Sequence, residues 1–265
     1  MIYFSELIKS DLPKLYSELS QALDKHGVKH GLLLNTKDYW CRDYMPFPLG
    51  DSKYLRYIYN PDYLRNFTEK REYITDPKPV CETLKLDCID TDILIDGGNI
   101  VRCGDKIVMI DKVYNENPQY GKDELKAKLE ELFNTEIIFL PWDKKGEKYG
   151  HSDGLVRYIG NGKVLLTNYK DYNSDFHEKF RTILSEHFEV EELSYTQPNC
   201  EDNSWAYINF LQTDKLIILP KLGTHKDSEA LAQIKKHFPK HKIEQIEATE
   251  IVKQGGAFNC ISWNV

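Results

Sequence analysis

The sequence predicts an α/β fold in one domain, built from five near-equal units set around a common axis. Three observations predict it. First, β-branched apolar runs alternate with amphipathic, charged segments along the whole chain. Second, no low-complexity stretch or linker divides residues 1–265, so a single domain is expected. Third, short polar segments rich in glycine or aromatics recur at strand ends. With Asp43, Gly97, Asp153, Tyr207 and Cys260 as markers, the steps between them are 54, 56, 54 and 53 residues, and a fifth of the 265-residue chain is 53. The units differ in sequence, so the period is structural rather than a copied repeat. Equal units of strands plus one helix point to radial repetition, with strand ends meeting at the axis.

The expected strands are Gly31–Asn35, Ile93–Ile95, Ile107–Ile110, Glu136–Leu140, Leu155–Ile159, Val164–Thr167, Ile208–Leu211, Leu216–Leu219 and Phe258–Trp263, each a short β-branched or aromatic run. Helical spacing marks Asp11–His26, with Pro13 in its first turn, and Asp123–Phe133. It also marks Asp175–Phe188, with Ser174 as N-cap, and Asp227–Phe238, stopped by Pro239. Asp62–Tyr73, after Pro61, is a weaker helical segment.

Composition excludes several classes. A hydrophobic fraction of 41% with 12% aromatics supports a packed core. A net charge of −7 argues against nucleic acid as a partner, since phosphate binding needs a basic surface. No apolar run is long enough to span a bilayer. Glu6, Lys9 and Asp11 interrupt the segment where a secretory signal would be apolar, so a cytoplasmic protein is expected. The six cysteines, Cys41, Cys81, Cys88, Cys103, Cys200 and Cys260, form no C-x-x-C pair and read as reduced thiols. No ligand spacing suggests a metal, and no cofactor is expected.

Cys260 follows Gly255-Gly256, where adjacent glycines let backbone approach a ligand. A nucleophilic thiol needs a base, and His151 is the best placed: it sits in Gly-His-Ser-Asp-Gly, whereas the other seven histidines lie mostly in charged, solvated segments. Asp43, Asp96 and Asp153 supply carboxylates, and on an extended segment Asp153 faces the same way as His151. Alone, each is as ordinary as a buried thiol, a capping histidine or a turn aspartate. Together they describe an acidic pocket around a thiol, suited to a planar cation with many N–H donors.

The segments Trp40-Cys41-Arg42-Asp43 with Pro46, Asp96-Gly97-Gly98-Asn99, Gly150-His151-Ser152-Asp153, Trp205-Ala206-Tyr207-Ile208-Asn209-Phe210, and Gly255-Gly256 running into Asn259-Cys260-Ile261 resemble those of the guanidino-group-modifying enzymes of the pentein fold. Within them, the chain is similar to the agmatine deiminase and bacterial-type peptidylarginine deiminase family. The resemblance runs from residue 40 to the C-terminus, in the family's order. It implies a five-bladed pseudo-fivefold α/β propeller with the active site in the central channel. It also implies that Cys260 attacks the guanidinium carbon, that Asp43 and Asp153 bind the guanidinium nitrogens, and that His151 acts as acid and then base. Asp96, at a position commonly glutamate, would orient His151. Trp40 would wall the channel, and Asn209, Arg42, Gly97, Gly98 and Gly256 join the substrate-binding set. The implied partner is a small cationic guanidino compound, with agmatine leading and arginine, peptidylarginine or methylarginine behind. A homodimer is an admissible assembly.

The chain departs from the family's pattern in having Asn259 where histidine usually precedes the nucleophile, and Tyr44-Met45 in place of a glycine-bearing turn. It also lacks a glutamine-rich tail. Other readings are an amidinotransferase, with an amine in place of water, a non-catalytic binding module on the same propeller, and a protease-like Cys–His hydrolase. The last predicts activity on amides or esters, for which clustered aspartates are a poor substitute for an oxyanion hole.

Overall fold

A computed structural model describes residues 1–197 and 203–265; Cys200 lies outside them. Its fifteen strands form five three-stranded sheets. The first contains β1 (Ile2–Ser5) and β2 (His30–Leu33); the second, β3 (Phe47–Gly50), β4 (Lys53–Ile58) and β5 (Asp87–Leu94). The third is β6 (Val101–Cys103), β7 (Lys106–Ile110) and β8 (Glu136–Leu140), and the fourth β9 (Val156–Gly160), β10 (Lys163–Leu166) and β11 (Glu189–Glu192). The fifth is β12 (Leu211–Gln212), β13 (Leu216–Lys221) and β14 (Lys242–Glu247). The last strand, β15 (Trp263–Asn264), returns to the first sheet, where Trp263 pairs antiparallel with Tyr3.

Every sheet follows one plan. A short strand pairs antiparallel with a central strand, and the chain then crosses over to a third strand that pairs parallel with it. The crossovers carry the helices Pro13–Lys25, Pro77–Thr83, Lys122–Phe133, Ser174–Ser185 and Lys226–His237. The parallel pairing requires such a crossover. Covered on both faces, β7 (Lys-Ile-Val-Met-Ile) and β13 (Leu-Ile-Ile-Leu-Pro-Lys) read as continuous apolar runs rather than alternating ones. Pro13–Lys25 starts with proline at its first turn and buries Leu15, Leu19, Ala22 and Leu23, the i, i+4, i+7, i+8 stripe of a helix packed on a sheet. The apolar core divides into five clusters; one, for example, joins Val108 and Ile110 of the third sheet to Val164 and Leu166 of the fourth.

The expected five-unit α/β propeller is therefore the observed fold, and the sequence period has a structural counterpart. Each marker lies in or beside a short turn just before the antiparallel strand of its sheet: Cys41–Tyr44 before β3, Gly97–Asn99 before β6, Ser152–Gly154 before β9, Ser204–Ile208 before β12, and residues 258–261 before β15.

Several local expectations are corrected. Ile208–Leu211 and Phe258–Trp263 are largely turns, each followed by a two-residue strand; their apolar side chains are buried by the packed ring of turns, which mimics the apolar run of a strand. Asn173, not Ser174, caps its helix, accepting from the Phe176 amide. Asp62–Tyr73 is one α-helical turn, Asp62–Arg65, followed by a 3-10 segment, Thr68–Tyr73. His177 is buried, 2.9 Å from Glu192, rather than solvated. Strands β1, β3, β4, β6, β11 and β14 lack a run strong enough to mark them.

Candidate active site

The five turns touch in a closed ring. Arg42 N–H donates to Cys260 O (3.0 Å), joining the first turn to the last, and Asn259 N–H donates to Asn209 O (3.0 Å). Asn209 Nδ2 donates to Asp153 O (3.4 Å). Between the second and third turns, Gly98 sits under His151: a Cβ there would lie 2.7 Å from His151 Nδ1 and 2.8 Å from Asp43 Oδ1. Gly97 packs against the Arg42 and Asp43 carbonyls. Four of the five turns thus deliver Asp43, Asp96, His151 with Asp153, and Cys260 to one place, and the fourth brings Asn209 beneath the thiol.

On one side of the ring, His151 Nε2 is 2.8 Å from Asp96 Oδ2, and one ligand atom each from Asp43, Asp96 and His151 falls within 4.8 Å of the others. The Tyr63 hydroxyl donates to Asp96 Oδ2, and the Tyr63 and Tyr149 rings, 4.9 Å apart, pack on one side of the imidazole at 6.2 and 5.7 Å. Behind His151, the Glu147 carboxylate accepts the amides of Gly150 and of His151 (2.7 Å). Burial alone would lower the His151 pKa, but Asp96, Asp43 and Glu147 outweigh it and hold the imidazolium well above its ordinary value. Asp43 is pushed well up by burial and by Asp96, against the pull of His151, and its Oδ1 has no hydrogen-bond partner. Asp96 moves the other way: burial raises it, but the adjacent His151 and the Tyr63 hydroxyl bring it below the usual carboxylate value. Two carboxylates and an imidazole could also hold a cation, but a metal would have to displace the proton that three carboxylates stabilise on His151.

On the other side, Cys260 is 7% exposed, with Sγ 3.2 Å from Asn209 Oδ1 and 3.8 Å from Asp153 Oδ2. Burial, then Asp153 and Asp43, push its thiol well above the ordinary value, only partly opposed by the Ala257 backbone and Asn209. Asn259 Nδ2 donates to Asp153 Oδ2 (2.7 Å). Arg157, half-buried with its pKa pushed down to about 10 by burial, donates to Phe210 O (2.8 Å) and Ile208 O (3.3 Å) and reaches Asn259 Oδ1 (3.4 Å). It locks the turn that carries Asn209 against the turn that carries the thiol.

Cys260, His151 and Asp43 open into a cavity of about 740 Å³, walled by Trp40, Tyr59, Tyr63, Tyr149 and Gly256 among others. The volume is that of a small-molecule site. Gly256 is required where it is, since a Cβ would run into the Trp40 indole.

Of the sequence-derived residues, Trp40 and Gly256 line the cavity, while Gly97 and Gly98 allow close packing behind it. Arg42 points away from the cavity: Nε donates to Asn259 O (3.3 Å) and Nη2 to Asn264 Oδ1 (3.3 Å), bracing the turn that carries Cys260. Asn209 is wholly buried beneath Cys260 and holds its amide as well as its thiol. His151 and Asp153 do face one site, but through the 3-10 turn Ser152–Gly154 rather than an extended segment, so His151 meets the acid pair and Asp153 the thiol. Sequence reasoning missed Tyr63, Glu147 and Arg157, and took Asn259 only as a departure. A lone arginine in the strand Val156–Gly160 was a visible signal; for Tyr63 and Glu147 there was none.

The model of the Porphyromonas-type peptidyl-arginine deiminase family matches residues 13–265. A Lactococcus lactis protein named "putative agmatine deiminase" is 26% identical over 280 residues, covering 87% of this chain and 75% of its own length. A Mycoplasma capricolum protein of the same name is 27% identical over 221 residues, covering 70% and 61%. The chain spans about three fifths of the length of several such relatives. Among solved structures, the C. jejuni agmatine deiminase superposes with a TM-score of 0.79 at 19% identity, covering 99% of this chain and 92% of that one. An agmatine deiminase of Enterococcus faecalis, described as catalysing its reaction, gives 0.76 at 18% identity with the same coverage. These likenesses establish the pentein fold.

Proposed function

The chain belongs to the Porphyromonas-type peptidyl-arginine deiminase family, and from that premise we propose that it is a hydrolase converting a guanidino group to a ureido group with release of ammonia. The leading substrate is agmatine. The observation that carries the reading is the buried thiol of Cys260, 3.8 Å from the Asp153 carboxylate, in one cavity with a His151 held protonated between Asp43 and Asp96.

Guanidinium is a resonance-stabilised cation and a poor electrophile, so the site must hold it in register, supply a strong nucleophile and protonate the leaving amine. Asp43 and Asp153 clamp its N–H groups from opposite sides. The arriving positive charge offsets the carboxylate charges that raise the Cys260 pKa, so binding the substrate itself favours the thiolate. Cys260 Sγ bonds to the guanidinium carbon, the C–N bond to a terminal nitrogen breaks, and His151 gives that nitrogen its proton as ammonia leaves. The neutral His151 then takes a proton from water, whose oxygen adds to the thiouronium carbon. The C–S bond then breaks with its electron pair going to sulfur, and the new hydroxyl's proton passes to that sulfur as the carbonyl forms, releasing the ureido product and the Cys260 thiol. Asp96, Tyr63 and Glu147 keep the imidazole aimed at the reacting carbon throughout.

The test is a colorimetric ureido assay on purified protein with agmatine, arginine, a peptide ending in arginine, and dimethylarginine. Product from one of them is expected. No product from any of them with well-folded protein would overturn the reading. Cys260→Ala is expected to abolish turnover while leaving the circular-dichroism spectrum and Tm unchanged; activity retained in that variant would sink the mechanism.

A further inference from the structure

We propose that Asn259 is a positioning residue for Asp153: its amide, whose polarity Arg157 imposes, holds the Asp153 carboxylate in place and draws negative charge away from the Cys260 sulfur. Its bearing on catalysis rests on the deiminase reading, in which Asp153 grips the guanidinium; its bearing on the thiol does not.

Asn259 is buried and lies behind the cavity wall rather than in it. Each of its polar atoms is engaged. Its N–H donates to Asn209 O (3.0 Å), and its main-chain oxygen accepts from Ser262 Oγ (3.2 Å) and Arg42 Nε (3.3 Å), so its backbone is fixed from the first, fourth and fifth turns. Its side chain then bridges two groups of opposite demand. Nδ2 donates to Asp153 Oδ2 at 2.7 Å, and Oδ1 accepts from Arg157 Nη1 at 3.4 Å. A guanidinium can only donate and a carboxylate can only accept, so neither neighbour tolerates a flipped amide. Arg157 commits Nη2 to Ile208 O and Phe210 O, which leaves Nη1 for Asn259. A cation at the oxygen end of an amide polarises it and strengthens donation from the nitrogen end.

The oxygen that Asn259 holds is also the one that lies 3.8 Å from Cys260 Sγ. Among the described residues, Asn259 is the one donor besides the thiol itself to reach it. Donation into that oxygen disperses the charge that opposes ionisation of the thiol. The other charged groups near the thiol are Asp43 of the first turn, Arg157 on β9 and, in the same cavity, His151. Arg42 is turned toward Asn264. Asn259 thus brings the influence of Arg157 to Asp153 without placing a charge of its own beside the thiol.

The experiment is a double-mutant cycle read by iodoacetamide labelling of Cys260 across pH, with mass spectrometry on the Cys260 peptide. Asn259→Leu nearly keeps the shape of the side chain and removes both amide contacts. It is expected to move the labelling midpoint upward by about one pH unit, which is about tenfold slower labelling at neutral pH. In the Asp153→Asn background the same substitution is expected to move the midpoint by less than about 0.3 unit, because no carboxylate is left for Asn259 to act through. A merely structural role would shift both backgrounds alike or neither. Asn259→Ala is the second variant if Asn259→Leu fails to fold. A midpoint that is unchanged or lower, or a shift that persists in the Asp153→Asn background, would overturn the proposal. Asn259→Leu is also expected to lower kcat/KM by about tenfold or more, and an unchanged kcat/KM would overturn the positioning of Asp153 for the guanidinium. Ammonia release by the unmodified protein is read separately: its failure counts against the deiminase, while the labelling cycle still decides Asn259.

Discussion

Replacing Asp153 by asparagine separates two effects of one carboxylate on Cys260. In the free protein Asp153 Oδ2 lies 3.8 Å from the thiol sulfur and is, after burial, the main reason that thiol resists ionisation. Two unit charges near 4 Å repel by about 4 kcal/mol at an effective dielectric of about 20, which is about a thousandfold in thiolate population. Asp43 still pushes in the same direction and the amide keeps a dipole, so about a hundredfold faster alkylation at neutral pH is the expected net result. The sign follows from the charge: removing an anion favours the thiolate, so iodoacetamide reactivity sets in at lower pH. Catalysis moves oppositely. Losing one arm of the clamp around a buried guanidinium costs about 3–5 kcal/mol, or about 10²- to 10⁴-fold in kcat/KM. The assay is iodoacetamide labelling across pH, read by mass spectrometry on the Cys260 peptide, because Cys88 is partly accessible and would confuse a bulk thiol count. Alkylation that is unchanged, or that needs higher pH, would refute the argument and leave burial and Asp43 as the causes of the raised pKa.

Gly98→Ala is expected to displace His151 or Asp43, because the added Cβ would lie 2.7 and 2.8 Å from their polar atoms; about 1–3 kcal/mol of stability and at least about a hundredfold of kcat should be lost. Thermal melting and the ureido assay check the two, and an unchanged kcat would mean that the ring of turns adjusts. Lys112→Met removes a buried ammonium that pairs with Asp62 and Glu116 and donates to Tyr149 O at 2.9 Å. Two carboxylates would be left without it, so a loss of about 3–5 kcal/mol is expected in a urea melt. A loss under about 1 kcal/mol would show that those carboxylates find water or Arg65 instead.

The reactive residue types and their period were legible in the sequence because both are one-dimensional. Cys260, His151, Asp96 and Asp153 were recognisable from glycine-rich neighbours and Asp43 from its Trp-Cys-Arg-Asp segment, and the even spacing of these segments is the repeat length of one sheet plus its crossover. What was not legible depended on packing. The apolar residues around Cys260 read as a strand, yet residues 258–261 form a turn, since burial by neighbouring turns leaves the same apolar signature as burial in a sheet. Arg42 joined the substrate-binding set through the resemblance, but successive residues in a helical turn point in different directions, and its guanidinium braces Asn259 and Asn264.

By itself the sequence determined that five similar α/β units would form and that a thiol, an imidazole and three carboxylates would lie in or beside the recurring turns of four of them. Only the tertiary structure decided how they are divided: Asp43 and Asp96 on the imidazole, Asp153 on the thiol, Glu147 behind the His151 amide and Tyr63 on Asp96. The reason is electrostatic. A pKa depends on burial and on charges within a few ångströms, and those distances are set by how the five turns close on one another, between residues as far apart in the chain as Arg42 and Cys260.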